Sequence, residues 1–185
     1  MKRKRDKFMK LYHYVAKGNN VLQKGLLSFA KNPNADLSYY FKRTGGKTTH
    51  KEICEWMENC YVGRSRAIRG FSEPIQWTER SIHCLKDFID RADKFVIDIS
   101  AMDKDGLIEA VYVSPSVLDF PELEEDKDFD ELWIKLENGI RDIDFSPIDW
   151  SVCDDELGRR FAYVRYYLIV VKDGIISPQY LTLEN

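Results

Sequence analysis

Leu107-Ile108-Glu109-Ala110-Val111-Tyr112-Val113 decides how this chain is read. Successive side chains of a strand point to opposite faces, so Leu107, Glu109, Val111 and Val113 share one side. Ile108, Ala110 and Tyr112 occupy the other, and both faces read as covered. Glu109 is the only charged residue in the run. An ionised carboxylate in such a setting is costly unless it is paired, neutralised or used. Either Glu109 pairs with an interior arginine or sits at the strand's open end, or it belongs to a site.

A second polar residue in a similar position favours a site. In Leu11-Tyr12-His13-Tyr14-Val15, alternation sets His13 with Leu11 and Val15, and the two tyrosines opposite. A single such histidine is ordinarily a satisfied core residue. Two polar residues on separate apolar strand faces suggest one cleft floored by a sheet.

Working outward, the elements are mixed. Asn19 or Asn20 can cap a brief helix through Val21, Leu22 and Lys24 that Gly25 ends. Residues Lys31 to Lys47 read mainly as loop, with Tyr39-Tyr40-Phe41 packed down or lining a pocket. Thr49 and Glu52 form a capping box, followed at helical spacing by Ile53, Trp56, Met57 and Cys60. Ala67 to Phe71 is a strand that stops before Pro74. A helix is expected from about Thr78 to Ala92, and a strand from Phe95 to Ser100.

Asp105-Gly106 turns the chain into the Glu109 strand. The apolar face of Phe129, Leu132, Trp133 and Leu136 predicts a further helix, stopped by Asn138-Gly139. Phe161 to Val171 has the strongest strand composition, and Lys172-Asp173-Gly174 turns it into a last strand, Ile175 to Leu183. In that strand Pro178 favours an edge position. No regular βαβ alternation occurs. The expected class is α+β, with a bent, mostly antiparallel sheet and flanking helices.

With 185 residues, the chain is long enough for one well-cored domain over residues 11–185 behind a basic tail, residues 1–10. A hydrophobic share of 44% excludes a disordered chain. The net charge of −3 argues against a strongly electrostatic nucleic-acid binder, although Lys2 to Lys10 is basic and Asp119 to Glu131 acidic. The basic start lacks the apolar stretch of a secretory signal, and no segment approaches a membrane span. Cys54, Cys60, Cys84 and Cys153, with His13, His50 and His83, form no zinc pattern. Reduced thiols in a cytoplasmic protein without metal are the simplest reading, with export lacking a readable signal as the alternative.

Two basic motifs differ in weight. Gly45-Gly46-Lys47-Thr48 imitates the end of a phosphate-binding loop, but Phe41 stands where its first glycine belongs. Gly63-Arg64-Ser65-Arg66-Ala67-Ile68-Arg69 offers guanidinium groups suited to a pyrophosphate. Alternation makes Arg69 share a face with Ala67, whereas Arg64 and Arg66 lie nearer the loop after Gly63. Arg64 or Arg66 is therefore the favoured clamp. The bland reading is a solvated basic loop, or one arginine paired with Glu109.

Leu11-Tyr12-His13, a short helix and Lys24-Gly25-Leu26, together with Ile108-Glu109-Ala110-Val111-Tyr112-Val113-Ser114-Pro115, resemble the ADP-ribosyltransferase superfamily. Its DNA-modifying members and the related RNA 2′-phosphotransferases are included in that likeness. The resemblance implies an ADP-ribosyltransferase-like fold that uses NAD as substrate and modifies a macromolecular acceptor, nucleic acid or protein. It implies that Glu109 stabilises the oxocarbenium-like ribose left when nicotinamide departs. His13 would hold an NAD ribose, Tyr14 or Tyr40 would stack on nicotinamide, and Arg64 or Arg66 would meet the diphosphate. Ser72, in Phe71-Ser72-Glu73, or Tyr39-Tyr40 would stand for the second-strand signature. RNA 2′-phosphotransfer and a non-catalytic nucleotide-binding or partner-binding module are the alternatives.

Overall fold

Tyr12 joins the two halves of the sheet. Its amide donates to the Phe71 carbonyl at 2.8 Å, and its own carbonyl accepts from the Phe71 amide at 2.9 Å. The computed structural model describes residues 8–76, 90–114, 133–149 and 166–184. On one side of the junction, β1 (Lys10–Ala16) pairs along its length with β4 (Ala92–Asp98), which pairs with β9 (Leu181–Glu184). On the other, β3 (Ala67–Gly70) pairs with β7 (Tyr167–Val171), followed by β5 (Ile108–Val113) and β6 (Ile134–Lys135). A separate short pair joins β2 (Leu26–Leu27) to β8 (Ile175–Ile176). Every pairing among the described residues is antiparallel, and the fold is mixed α+β with few helices.

Alternation divides the sheet into two faces. Leu11, Ile97, Val111, Ile169 and Val171 meet Ile99, Met102 and Ile176 in the main core, where each is essentially inaccessible. Fully burying one such side chain contributes about 1.5–3 kcal/mol before opposing costs. Tyr12, Phe71, Ile75 and Val96 form a smaller cluster. The aromatic and β-branched composition that suits a pleated surface thus supplies both packing layers.

Among the described residues, helices are few and short. Besides α1 (Val21–Lys24) and α2 (Ser38–Phe41), α3 (His50–Cys60) carries the expected capping box, with Thr49 and Glu52 exchanging hydrogen bonds. Ile53 and Met57 are its buried residues. Asn20, in the left-handed region, precedes α1 but makes no side-chain cap.

Several boundaries differ from expectation. The strand predicted to reach Ser100 ends at Asp98, whose carboxylate accepts from the Ala101 amide and caps α4 (Ile99–Lys104). The helix predicted to include Trp133 and Leu136 is replaced there by β6, because Ile134 and Lys135 pair with Val113 and Tyr112. The last predicted strand is divided into β8, a 3-10 turn Pro178–Tyr180 and β9. Pro178 cannot donate to a ladder. The helix expected from Thr78 lies largely outside the described residues, and Ala92 already belongs to β4. Residues 161–165 of the strong strand also lie outside them. Among the described residues, no helix is long and apolar enough to cross a membrane.

Candidate functional site: an arginine–aromatic cleft

The face of β3 and β7 opposite the main core floors a cleft of about 490 Å³. Ala67 and Arg69 come from β3, and Leu168 from β7. Register explains the grouping, since Arg69 stands opposite Leu168 and Ala67 opposite Val170. Ile68 and Ile169 alternate away into the core. Phe29, Tyr39, Tyr40, Tyr61 and Trp133 wall the cleft, with Asn32 and Asp36 among its polar residues.

Two guanidinium groups are held against aromatic rings there. Arg64 is only 8% exposed, with its guanidinium 4.5 Å from the Trp56 ring centroid and 5.9 Å from that of Tyr61. Arg69 lies 4.4 Å from the Tyr166 ring centroid. Stacking restricts a planar cation while leaving its edge donors directional. Tyr40 is braced edge-on against Phe29 at 5.0 Å, and Phe29 stacks on His50. The Trp133 indole nitrogen is a buried donor with no hydrogen-bond partner among the described residues.

Glu58 fixes the corner that positions Arg64. Its carboxylate accepts from the Gly63 amide at 2.7 Å, the Ser65 amide at 3.2 Å and the Ser65 hydroxyl at 2.5 Å. Burial alone would push its carboxyl upward, but these hydrogen bonds prevail and hold it below the ordinary range. The Glu58–Gly63–Ser65 relation is local enough to be sought in sequence. The meeting of Arg69 with Trp133 is not.

The candidate residues are divided among several environments. Tyr40 and Arg64 enter the cleft together. Arg66 does not: its Nη1 lies 2.7 Å from Glu109 Oε2 and donates to the carbonyls of Lys172 at 2.9 Å and Val171 at 3.3 Å. Of the two favoured arginines, Arg64 lines this cleft and Arg66 does not. Arg69, the less favoured arginine, shares Ala67's face as alternation requires, and that face is the cleft floor.

Glu109 is not covered on both sides. It occupies a register irregularity between Ile108 and Ala110, and its side chain is 36% exposed. A bulge redirects side chains and breaks simple alternation. His13 belongs to a different ladder, and neither His13 nor Glu109 lines this cleft. Tyr14 lines a separate cleft of about 430 Å³, and its hydroxyl accepts from the Ile75 amide at 2.9 Å. Ser72, partly buried on the bend after β3, is also outside the arginine–aromatic lining.

His13 donates from Nδ1 to the Arg69 carbonyl at 2.6 Å when that nitrogen carries the proton. Burial lowers its pKa from 6.5 to about 4, with the Arg69 hydrogen bond opposing that shift and the Arg69 charge reinforcing it. The unfolded histidine therefore binds more protons between those values. Its contribution to stability is present above pH 6.5 and lost as pH falls toward about 4, amounting to at most about 3 kcal/mol. The ring's partial exposure reduces that bound. His13→Asn should flatten the loss of stability over this interval in denaturant titrations. Identical pH slopes in the two proteins would remove His13 as the cause.

Among the described residues, no three histidine, cysteine or acidic side chains converge as a metal site. The chain matches no family model, no curated protein and no solved structure.

Proposed function

We propose that this chain binds NAD in the arginine–aromatic cleft and transfers its ADP-ribose to a macromolecular acceptor. The observation supporting NAD binding is the convergence of stacked Arg64 and Arg69 on one cleft walled by Tyr39, Tyr40 and Trp133. Its size suits a small organic ligand, and its chemistry joins phosphate donors to surfaces for planar rings. NAD contains both kinds of group. The transfer step and its ADP-ribosyltransferase-like scaffold rest on the resemblance carried by the His13 and Glu109 segments. That reading assigns Glu109 to charge developing at the ribose, although Glu109 lies outside the cleft lining and is paired with Arg66.

The pairing of Glu109 with Arg66 supports a second reading, a non-catalytic nucleotide-binding module. Both readings place a nucleotide in the cleft, and NAD is the nucleotide used to test them. Thermal unfolding should shift upward as NAD is added, by about 2.7 kcal/mol of stabilisation at 100 times Kd. Arg64→Lys should weaken binding about ten-fold, because an ammonium lacks the planar fork, whereas Arg66→Lys should leave it nearly unchanged. No shift with NAD, or equal effects of the two substitutions, would oppose the cleft assignment. Mass-spectrometric detection of released nicotinamide separates transferase from binder.

A further inference from the structure

A second groove adjoins the first and shares Tyr39 as a wall. It occupies about 380 Å³ along α2 and the following turn, with Phe41, Lys42 and Lys47 in its lining. Tyr39 and Phe41 are 56% and 49% exposed, respectively. The guanidinium of Arg43 lies 4.6 Å from the Tyr39 ring centroid. From Leu37 to Thr48, the charged residues are Lys42, Arg43 and Lys47, and no carboxylate interrupts them. This local basicity contrasts with the chain's net charge of −3.

The turn is held in place. Thr44 is buried, and its hydroxyl donates to the Tyr40 carbonyl at 2.9 Å while accepting from the Lys47 amide at 3.1 Å. Lys47 is consequently tied at its backbone to the helix that presents both rings. The groove thus combines two exposed flat rings with cations on one short, cross-linked segment.

We propose that this groove binds single-stranded nucleic acid. Bases stack on Tyr39 and Phe41, while Lys42 and Lys47 meet backbone phosphates. The combination of rings and cations selects this occupant. An acidic peptide supplies charge without regularly spaced flat faces, and a duplex conceals its base faces within its own stack. Because Tyr39 also lines the arginine–aromatic cleft, a strand on the groove ends beside that site. Binding is independent of the NAD reading; only assignment of the strand as acceptor rests on that reading.

Fluorescence anisotropy of the full chain with labelled oligo-dT, oligo-rU, a matched duplex and polyglutamate tests this proposal. Both single strands are expected to bind, with duplex and polyglutamate about ten-fold weaker or worse. Two phosphate contacts predict a slope of log K against log salt of about −1.4 for a single strand. Phe41→Ala and Lys42→Gln should each weaken strand binding by about five-fold or more, with no change in NAD-induced stabilisation or in melting without ligand. Unequal affinities for DNA and RNA would identify the preferred strand within the same proposal. Equal binding of polyglutamate or duplex would overturn it, as would wild-type strand affinity in both variants. Failure of NAD to stabilise the protein, with strand binding intact, would overturn the cleft reading instead.

Discussion

Gly63→Ala is expected to lower stability by about 3 kcal/mol and the melting temperature by roughly 10 °C. Gly63 has φ +87°, in the left-handed region that alanine adopts only at a cost. A Cβ there would lie 2.4 Å from Val170 Cγ1 and 3.2 Å from Cγ2. Val170 is 1% exposed in β7 and is paired with Ala67 and Ala110, so it cannot retreat without disturbing the ladder. Backbone strain and overpacking therefore act together. Moving this corner also moves Arg64, the next residue, and should weaken NAD binding.

Gly106→Ala supplies the comparison. Gly106 has φ +69°, but a Cβ built there meets nothing within 4 Å. Only the backbone cost applies, about 1–2 kcal/mol. Denaturant titration of both variants separates the two effects. Equal losses would mean that Val170 yields freely and that the corner is not rigidly seated.

The same distinction between local and distant causes explains what could be read in the sequence. Strand β1, strand β5 and the described part of β7 follow from alternation and β-branched composition. The α3 start follows from Thr49 and Glu52, four positions of local chemistry. Helix α4 was hidden because Ile97-Asp98-Ile99 continues the strand alternation through its cap. Its helical spacing becomes apparent only when Ile99 and Met102 are seen buried together. Period-two alternation puts Glu109 on a covered face because it does not anticipate a bulge.

Less of the site was legible. Loop chemistry singles out Arg64, and the aromatic cluster singles out Tyr40. That they share a cleft depends on β3 pairing with β7 and on α3 covering the same face. Alternation puts Arg69 on the same strand face as Ala67, but the sequence does not identify that face as the floor of a cleft. Trp133 reaches it from a segment expected to be helical. These associations are long-range, so neither spacing nor composition specifies them.

Glu109→Gln should reduce nicotinamide release by about 100-fold or more while leaving NAD-induced stabilisation intact, if the proposed transfer is correct. The substitution retains size and hydrogen-bonding capacity but removes the negative charge that would face the developing ribose cation. Folding should survive, because the partner Arg66 keeps its Val171 and Lys172 carbonyl contacts, and a partly exposed ion pair contributes about 1 kcal/mol or less. Arg66→Gln provides the necessary contrast: it breaks the same pair but leaves the carboxylate present. A large turnover loss in Glu109→Gln alone assigns the effect to chemistry rather than to the ion pair. Equal losses in both variants assign it to the corner that the pair supports. NAD binding with no nicotinamide release from the wild-type chain favours the non-catalytic module, with Glu109 retained for its hold on Arg66.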